Sequence, residues 1–204
     1  MKPNESLDCL ELMFPNAQCE LCHKNAYELT IAVVLSAQTT DVSVNKVTPV
    51  LFEKYPTPFD LAKADCKDVE ECIRTLGLYR NKAKNIIGLA KGLVEKYNGI
   101  VPDTREQLTA LDGVGRKSAN VILSVCFDVP ALAVDTHVER VTKRLGLVKA
   151  NATVLETEKT LMKKLPKYRW NRAHHLFIFF GRYHCKAQKP LCEECPFTSI
   201  CKEK

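Results

Sequence analysis

The sequence contains no long uncharged apolar run. No stretch reaches the roughly 18 consecutive apolar residues that a membrane-spanning helix needs. The N-terminal segment MKPNESLDCLELMFPNAQ also lacks the apolar core of a secretory signal peptide. We therefore expect a protein without a membrane anchor or export signal that stays in the cytoplasm.

Strand patterns, internal repeats and low-complexity linkers are also missing. Apolar residues instead recur at intervals of three and four, and helix-capping signals separate these segments. With 204 residues, of which 46% are hydrophobic, the chain is large enough to build a core. The pattern predicts a globular all-α protein.

Two predicted helices show how the boundaries are assigned. Asn25 and Glu28 form a capping box before AYELTIAVVLSAQ, which is almost entirely apolar and is predicted to be a buried core helix. Asp41 is predicted to cap the next helix. Pro49 lies inside that helix and is predicted to kink or end it, because proline has no backbone N–H group.

Positive charge is concentrated in the C-terminal part of the chain. Residues 1–130 contain 15 Lys and Arg against 17 Asp and Glu, a balance of 15 − 17 = −2. Residues 131–204 contain 15 against 7, a balance of 15 − 7 = +8. The excess supports a polyanionic partner such as nucleic acid, although a solvated basic surface would give the same count.

The chain has ten cysteines, and without an export signal they are not expected to form disulfides. Four of them form a C-terminal cysteine tail with the spacing CX6CX2CX5C, namely Cys185, Cys192, Cys195 and Cys201. Four thiols in one short loop require a metal. Zinc ribbons usually have two CX2C knuckles, whereas one CX2C with wider flanking gaps favours a [4Fe-4S] cluster over zinc. Lys186 and Lys189 lie between the first two cysteines and either contact phosphates or are solvated.

The segment LDGVGRKSANVIL, residues 111–123, predicts a glycine hairpin between two helices. Gly113 and Gly115 are expected to adopt backbone angles closed to other residues, and Leu111 and Val114 to anchor the turn. The amides at the start of the second helix would then bind an anion such as a DNA phosphate. A GxG sequence alone is weak evidence, but its position between two helices strengthens it.

Lys117 lies in the first turn of that second helix, where a cation opposes the helix dipole. This position favours the neutral amine that a Schiff-base nucleophile needs. Taken alone, however, Lys117 fits a phosphate-binding role better. A partner appears in AVDTHVER, where Asp135 or Thr136 is predicted to cap the next helix, so that Lys117 and a fixed carboxylate would supply one reaction with a nucleophile and a base.

These segments resemble the endonuclease III family of helix-hairpin-helix DNA glycosylases. LSAQTTDVSVNK, GLYRNKAKNI, GVGRKSANVIL, AVDTHVERV and the cysteine tail occur in the family's order and spacing over nearly the whole chain. The resemblance implies an all-α fold of two helical domains with a DNA-binding cleft between them. Residues 21–130 would form a six-helix barrel with the helix-hairpin-helix motif. Residues 1–20 and 131–204 would form the iron–sulfur cluster domain.

The resemblance also implies a function. It is that of a bifunctional DNA glycosylase and abasic-site lyase of base excision repair, which removes oxidised pyrimidines from duplex DNA. Lys117 resembles the catalytic lysine that attacks C1′, and Asp135 resembles the aspartate that assists proton transfer. The strand would be cut 3′ to the lesion by β-elimination through the lysine Schiff base. The expected form is a nucleoid-associated monomer bound to double-stranded DNA with damaged pyrimidines or abasic sites.

Gln38 resembles the residue that fills the space left by the extruded nucleotide, and Leu78 resembles the wedge opposite it. From the residues alone, Gln38 fits a polar helix end equally well and Leu78 an ordinary core leucine. His137 either lines the lesion pocket or caps its helix. Asp112 stands where the family often has proline, and an acid near a phosphate is unfavourable unless it is paired. The expected DNA contacts besides Gln38 and Leu78 are Gly113, Gly115, Arg116, His137, Lys186 and Lys189.

Two other functions compete with this interpretation. A glycosylase of the same fold that acts on mispaired adenine usually lacks the lysine and has a further C-terminal domain, which is not expected here because the sequence ends three residues after Cys201. A non-catalytic DNA-binding or redox-sensing module would use the cluster alone. Borohydride trapping on abasic DNA separates these functions, because only a lyase forms the adduct.

Overall fold

A computed structural model describes residues 3–203. The described chain is helical and contains no β-strand, which confirms the predicted all-α class. It divides into two compact units, one formed by residues 1–19 and 130–204 and the other by residues 20–129. Within the described residues, no helix is long and apolar enough to cross a membrane.

The helices of residues 20–129 include two that are only five residues long. They are α2 (Ala26–Leu35), α3 (Asp41–Lys54), α4 (Pro58–Ala62), α5 (Cys66–Cys72), α6 (Tyr79–Tyr97), α7 (Arg105–Thr109) and α8 (Arg116–Cys126). The other unit has α1 (Pro3–Met13), α9 (Thr136–Arg144), α10 (Val154–Lys164) and α11 (Trp170–Phe179). A 3-10 turn, Lys167–Arg169, precedes α11, and a π-helical turn, Phe180–His184, follows it.

Helix α2 is the buried centre of its unit, as its apolar sequence predicts. Asn25 caps it by accepting a 2.9 Å hydrogen bond from the amide of Glu28. All residues from Tyr27 to Leu35 are buried. The helix packs against α3, α6 and α8. It therefore supports both α6 and the helix that follows the glycine hairpin.

Helix α3 differs from its prediction at two points. Its cap is Thr40, whose Oγ1 accepts a 3.2 Å hydrogen bond from the amide of Ser43, and Asp41 is the first residue of the helix. The helix also continues through Pro49 to Lys54. Buried residues lie on both sides of the proline, at Val44, Val47, Thr48 and Leu51. Their packing outweighs the single backbone hydrogen bond that proline cannot make.

The core of the other unit is rich in aromatic residues, and it anchors the cysteine tail. Phe180 lies at its centre, with ring centroids 6.5 Å from Phe14 and 5.3 Å from Phe197. Phe197 lies within the tail and is fully buried. Arg172 fixes the N-terminal segment by binding the carboxylate of Glu11, with its closest contact at 2.6 Å. The tail is thus attached to the core through Phe197 and through Cys185, which is itself buried in that core.

Candidate functional site

The glycine hairpin has the predicted form, but its two glycines have different roles. Gly113 has a φ of +75°, and a Cβ atom there would lie 2.9 Å from Cγ1 of Val34. Only glycine fits this position without strain. Gly115 has φ −89° and ψ 176°, which is ordinary extended backbone. The expectation of an unusual backbone angle is therefore correct for Gly113 and wrong for Gly115.

Gly115 leaves the start of α8 without a capping side chain. It is the N-cap of α8 and makes no side-chain capping hydrogen bond, and a Cβ atom there would meet nothing within 4 Å. The first turn of α8 contains no acidic residue, while Arg116 and Lys117 are both exposed. The helix thus begins with positive side chains and with amides that no capping side chain occupies, as an anion-binding helix start requires.

The hairpin lies close against α6 because two glycines of that helix leave room for it. A Cβ atom at Gly88 would lie 2.0 Å from Oδ2 of Asp112, and one at Gly92 would lie 2.9 Å from Cδ2 of Leu111. The carboxylate of Asp112 therefore occupies the space of a missing side chain on α6. We did not predict this contact, although the spacing of four residues between two glycines of a helix was the available signal.

A side-chain hydrogen bond joins the two helices of the hairpin. Nε of Arg105, the first residue of α7, donates to Oδ1 of the fully buried Asn120 on α8 at 2.9 Å. Leu111 and Val114 are buried at the turn, which confirms them as its anchors. The hairpin is therefore held at its turn and along its helices, and its geometry needs no ligand.

Gln38 and Leu78 share an uncommon backbone conformation. Both have positive φ angles, 54° for Gln38 and 59° for Leu78, which cost a residue other than glycine about 1–3 kcal/mol each. Both side chains are exposed, and Leu78 retains 60% of its accessible surface. Leu78 is therefore not a core leucine. Strained backbone at an exposed residue is typical of functional positions, and nothing in the sequence indicated it.

Asp135 caps α9, and Thr136 is the first residue of the helix. Oδ1 of Asp135 accepts hydrogen bonds from the amides of His137 at 2.9 Å and Val138 at 2.8 Å. These two bonds fix the carboxylate in one orientation. The prediction of an aspartate cap is confirmed, and the alternative in which His137 caps the helix is wrong.

The His137 side chain is half-buried and faces residues of its own unit. Its Nδ1 lies 3.3 Å from Nη2 of Arg140, and because arginine only donates, this nitrogen accepts. A Cβ atom at Gly181 would lie 2.9 Å from Cβ of His137, so the two backbones are in close contact. Burial lowers the pKa of His137, and the nearby Arg140 and Arg182 lower it further against the opposing effect of Asp135.

The four cysteines of the tail line a single cavity of about 130 Å³. Further residues of its wall include Arg144, Phe180, His184 and Leu191. Within residues 3–203, no three Cys, His, Asp or Glu side chains converge on a site for one metal ion. In a [4Fe-4S] cluster each thiolate binds a different iron, so that the ligands surround the cluster. The cavity fits this arrangement.

The chemistry of the cavity wall also fits a cationic group. Burial raises the pKa of the Cys195 thiol, and the three neighbouring cysteines raise it further. Four thiolates therefore need positive charge between them. Arg144 lies 3.5 Å from the sulfur of Cys185, and Nε2 of His184 is buried without a hydrogen-bond partner among the described residues.

Lys186 and Lys189 are both exposed in the loop between Cys185 and Cys192. Lys189 has a φ of +49°, and the backbone carbonyl of Lys186 accepts a 2.9 Å hydrogen bond from Arg144. This bond and the wall of the cavity hold the loop in place. The two lysines thus lie in a loop whose end residues, Cys185 and Cys192, line the cavity.

The chain is similar to known DNA repair proteins over most of its length. Residues 31–167 match the model of the HhH-GPD superfamily base excision DNA repair proteins, and residues 185–201 match the iron-sulfur binding domain of endonuclease III. Endonuclease III of Bacillus subtilis (strain 168) is 57% identical over 97% of this chain and 90% of that protein. The chain belongs to the endonuclease III family. As a member, it is a base excision repair DNA glycosylase with abasic-site lyase activity, and its cofactor is a [4Fe-4S] cluster.

Two solved structures of the family are similar over the full chain. One is a trapped endonuclease III–DNA covalent intermediate, with a TM-score of 0.95 and 57% identity over 100% of this chain and 97% of that one. The other is a non-covalent endonuclease III–DNA complex, with a TM-score of 0.96 and 56% identity over 100% and 96%. A thermostable thymine-DNA glycosylase has a TM-score of 0.87 at 22% identity and shares the fold.

Proposed function

We propose that this endonuclease III family member removes oxidised pyrimidines from duplex DNA with Lys117 as its nucleophile and Asp135 as its acid–base group. The observation that supports this most directly is the start of α8. There an exposed Lys117 follows a helix N-terminus that has neither a capping side chain nor an acid in its first turn. A cation opposes the helix dipole at this position, so that a role in chemistry explains Lys117 better than a role in helix stability does.

The proposed reaction begins after the damaged nucleotide leaves the stack, because C1′ is not reachable inside the duplex. The lone pair of Lys117 Nζ attacks C1′ as the bond to the base breaks. The base departs with the bonding electrons and takes up a proton. A proton passes from the amine to O4′ as the C1′–O4′ bond opens, which gives an iminium. Removal of a C2′ proton then breaks the C3′–O3′ bond, the phosphate of the downstream strand leaves with the bonding electrons, and water releases the lysine.

Asp135 is proposed to assist these proton transfers and to stabilise positive charge on the sugar. Its carboxylate is already oriented by two backbone amides, so that no side-chain freedom is lost when substrate binds. A carboxylate held in this way suits a group that meets cationic character in the transition state.

DNA is proposed to contact both units. The amides at the start of α8 would bind a backbone phosphate together with Gly113, Gly115 and Arg116. Lys186 and Lys189 would bind another at the rim of the cysteine site, and His137 would face the lesion. Gln38 would fill the space of the extruded nucleotide, and Leu78 would act as the wedge. The exposed apolar side chain of Leu78 supports the wedge, since such groups separate stacked bases.

Borohydride trapping tests the nucleophile. We expect the wild-type protein to be locked covalently to an oligonucleotide with one abasic site. Lys117→Ala should give no adduct and yet bind the same duplex. Lys91→Ala is the matched control, because Lys91 is an exposed lysine of α6. Absence of an adduct with the wild-type protein would refute the lyase mechanism, and a normal adduct with Lys117→Ala would refute the choice of lysine.

The lesion class needs a separate experiment. A panel of duplexes, each with one damaged pyrimidine or one damaged purine, is assayed separately for base release and for strand cleavage. We expect both products from oxidised pyrimidines, because one lysine performs both steps. Base release without strand cleavage, or a preference for purines, would contradict the proposal.

The four cysteines of the tail are the proposed ligands of the cluster, Cys185, Cys192, Cys195 and Cys201. We expect the purified protein to be yellow-brown and to contain about four irons per chain. Cys201→Ser should lower the iron content, whereas Cys126→Ser should leave it unchanged because Cys126 lies in α8. A colourless, active preparation that contains zinc would refute the assignment.

We further propose that residues 21–130 act as the hairpin-bearing barrel domain and residues 1–20 with 131–204 as the cluster domain. The protein is proposed to act as a nucleoid-associated monomer in the cytoplasm. Light scattering combined with gel filtration tests the oligomeric state, with a mass near 23.0 kDa expected.

A further inference from the structure

Lys82 is a buried lysine that the proposed reaction does not use. It lies in the first turn of α6 and retains only 4% of its accessible surface. Lysine is almost never buried to this extent unless it is paired. Within residues 3–203, however, the structure pairs Lys82 with no carboxylate, and burial lowers its pKa. Because its side chain is buried, Lys82 does not serve to keep the surface soluble, and its presence needs another explanation.

The contacts of Lys82 reach Leu78 and the loop of Gln38, two of the five exposed residues other than glycine that have positive φ angles. Its backbone N–H donates a 3.0 Å hydrogen bond to the carbonyl of Leu78. Its Nζ donates to Oγ1 of Thr39, which directly follows Gln38 in the connection between α2 and α3. One residue therefore joins the start of α6 to the loop of Gln38.

The hydroxyl of Thr39 extends this link across Gln38. Oγ1 of Thr39 accepts a hydrogen bond from Lys82 and donates one to the carbonyl of Ala37 at 3.4 Å. The second bond joins the two residues that flank Gln38. The amide of Thr39 also donates to the carbonyl of Ser36 at 3.0 Å. These bonds close the loop into a compact turn, in which Gln38 has its left-handed backbone conformation.

We propose that Lys82 is a positioning residue that fixes the Gln38 loop to the first turn of α6, so that Gln38 and Leu78 enter duplex DNA as one rigid unit. The proposal rests on the proposed function, because it assumes that both side chains enter the duplex. Without the link, the loop would have to find its strained conformation when DNA binds. That ordering would reduce insertion into the duplex.

The charge of Lys82 adds a reason for lysine over a neutral residue. A hydrogen bond from a charged donor is about twice as strong as one between neutral groups. The ammonium also has two further N–H groups for water or for a group brought by DNA. With 4% exposure, it is too enclosed to act as a surface phosphate contact without a change in the loop.

The test compares duplex DNA with single-stranded DNA. Gap filling and strand separation are required only in a duplex, whereas Schiff-base formation on a single-stranded abasic site requires Lys117 and Asp135 but neither of these steps. We expect Lys82→Met and Thr39→Val each to reduce excision from a lesion-containing duplex by about 10- to 100-fold, the range for loss of a hydrogen bond to a charged group. Trapping on single-stranded abasic DNA should stay at the wild-type rate.

Two controls separate this role from simpler ones. Lys91→Met removes an exposed lysine from the same helix and should leave both activities unchanged. The double variant of Lys82→Met with Thr39→Val should be no worse than either single variant, because both remove the same link. The fluorescence of 2-aminopurine placed opposite the lesion should be lower with Lys82→Met and with Thr39→Val than with the wild-type protein, because these variants displace the opposite base less from the stack.

Several results would overturn the proposal. Duplex excision by Lys82→Met within about twofold of Lys91→Met would show that the link is not needed. An equal loss on single-stranded and duplex DNA would assign Lys82 a general role in the fold or in chemistry. If Lys82→Met reduced the slope of log binding constant against log salt concentration by about one, Lys82 would be identified as a phosphate contact.

A second variant tests the link if Lys82→Met fails to fold. If Lys82→Met does not fold, Thr39→Val still removes the link by changing one partly exposed hydroxyl. Failure of the wild-type protein to be trapped on the abasic duplex would refute the proposed lyase mechanism, and it would do so independently of Lys82.

Discussion

Helices α8 and α9 begin in opposite ways, although the start of each carries a residue that we assign to the reaction. These residues are Lys117 in the first turn of α8 and Asp135 at the cap of α9. Helix α9 has an aspartate cap with two short hydrogen bonds and an acid, Glu139, in its first turn. Helix α8 has a glycine cap without a side-chain hydrogen bond and two cations in its first turn. By the usual rules of helix stability, α9 is well made and α8 is not.

The difference indicates that the first-turn amides of α9 have their hydrogen-bond partner within the protein, whereas we assign the partner of the α8 amides to DNA. The amides of α9 are satisfied by Asp135, so its first turn is complete before any substrate binds. The first-turn amides of α8 have no capping side chain at Gly115, and we propose that a DNA phosphate binds them. A less favourable helix start is tolerated because buried residues of α8, such as Ala119, Ile122 and Leu123, hold the helix in place.

Replacing the acid without removing the cap tests this comparison with the largest expected effect. Asp135→Asn should reduce base excision by about 100- to 10,000-fold, the range for loss of a general acid or base. It should change the free energy of unfolding by less than about 0.5 kcal/mol, because asparagine caps helices as well as aspartate. Asp135→Ala is the control and should lose both activity and about 1 kcal/mol of stability. Full activity of Asp135→Asn would show that Asp135 serves only as a cap.

Gly113→Ala is expected to have the largest effect on stability at the hairpin. The positive φ angle and the 2.9 Å approach to Val34 should together destabilise the fold by about 1–3 kcal/mol. Urea unfolding measures this change. Gly115→Ala is the matched control two residues away, where the backbone is extended and the space is open, and it should cost no more than about 0.5 kcal/mol. Equal costs at the two positions would contradict the separate roles of the glycines.

Gly115→Ser would give α8 the kind of cap that α9 already has. The hydroxyl should accept a hydrogen bond from a first-turn amide and raise the free energy of unfolding by a few tenths of a kcal/mol. DNA affinity should fall by about fivefold, which corresponds to one hydrogen bond of about 1 kcal/mol. Gly115→Ala adds a side chain without an acceptor and should retain more affinity. Tighter binding by Gly115→Ser would mean that these amides do not contact DNA.

The smallest expected effect concerns pH and the first turn of α9. Because burial lowers the pKa of His137 in the folded protein, the unfolded chain takes up the proton first as the pH falls. Stability is therefore fully present above the ordinary histidine pKa and decreases below it, with a slope of at most about 1.4 kcal/mol per pH unit. His137→Gln should show a shallower decrease in unfolding free energy between pH 7 and 5.5. An unchanged slope would show that this imidazole does not contribute.

Local patterns in the sequence were sufficient for several parts of this protein. The apolar run of α2, the aspartate cap of α9 and the glycine hairpin all follow from residues within one or two helical turns of each other. The four-cysteine spacing likewise indicated the iron–sulfur site, because all of its proposed ligands lie in one short segment. These features depend on short-range stereochemistry, which a sequence displays directly.

Two predictions from local rules were wrong in part. Of the two outcomes predicted at Pro49, the end of α3 is wrong, because buried residues on both sides extend the helix to Lys54. Gly115 was predicted to need an unusual backbone angle, yet the turn places that demand on Gly113 alone. The GxG spacing could not show which of its two glycines has the positive φ angle.

The sequence by itself determined the helical class, the hairpin and the cysteine tail, since each depends on neighbouring residues, whereas the choice of Lys117 as nucleophile also needed the family resemblance. Only the tertiary structure decided how Gly88 and Gly92 admit the hairpin, and that Lys82 joins the loop of Gln38 to the start of α6. Thr39 and Lys82 are 43 positions apart, and their contact depends on how α2, α3 and α6 pack. No periodicity or capping rule carries information over that separation, because it is set by the shape of the core.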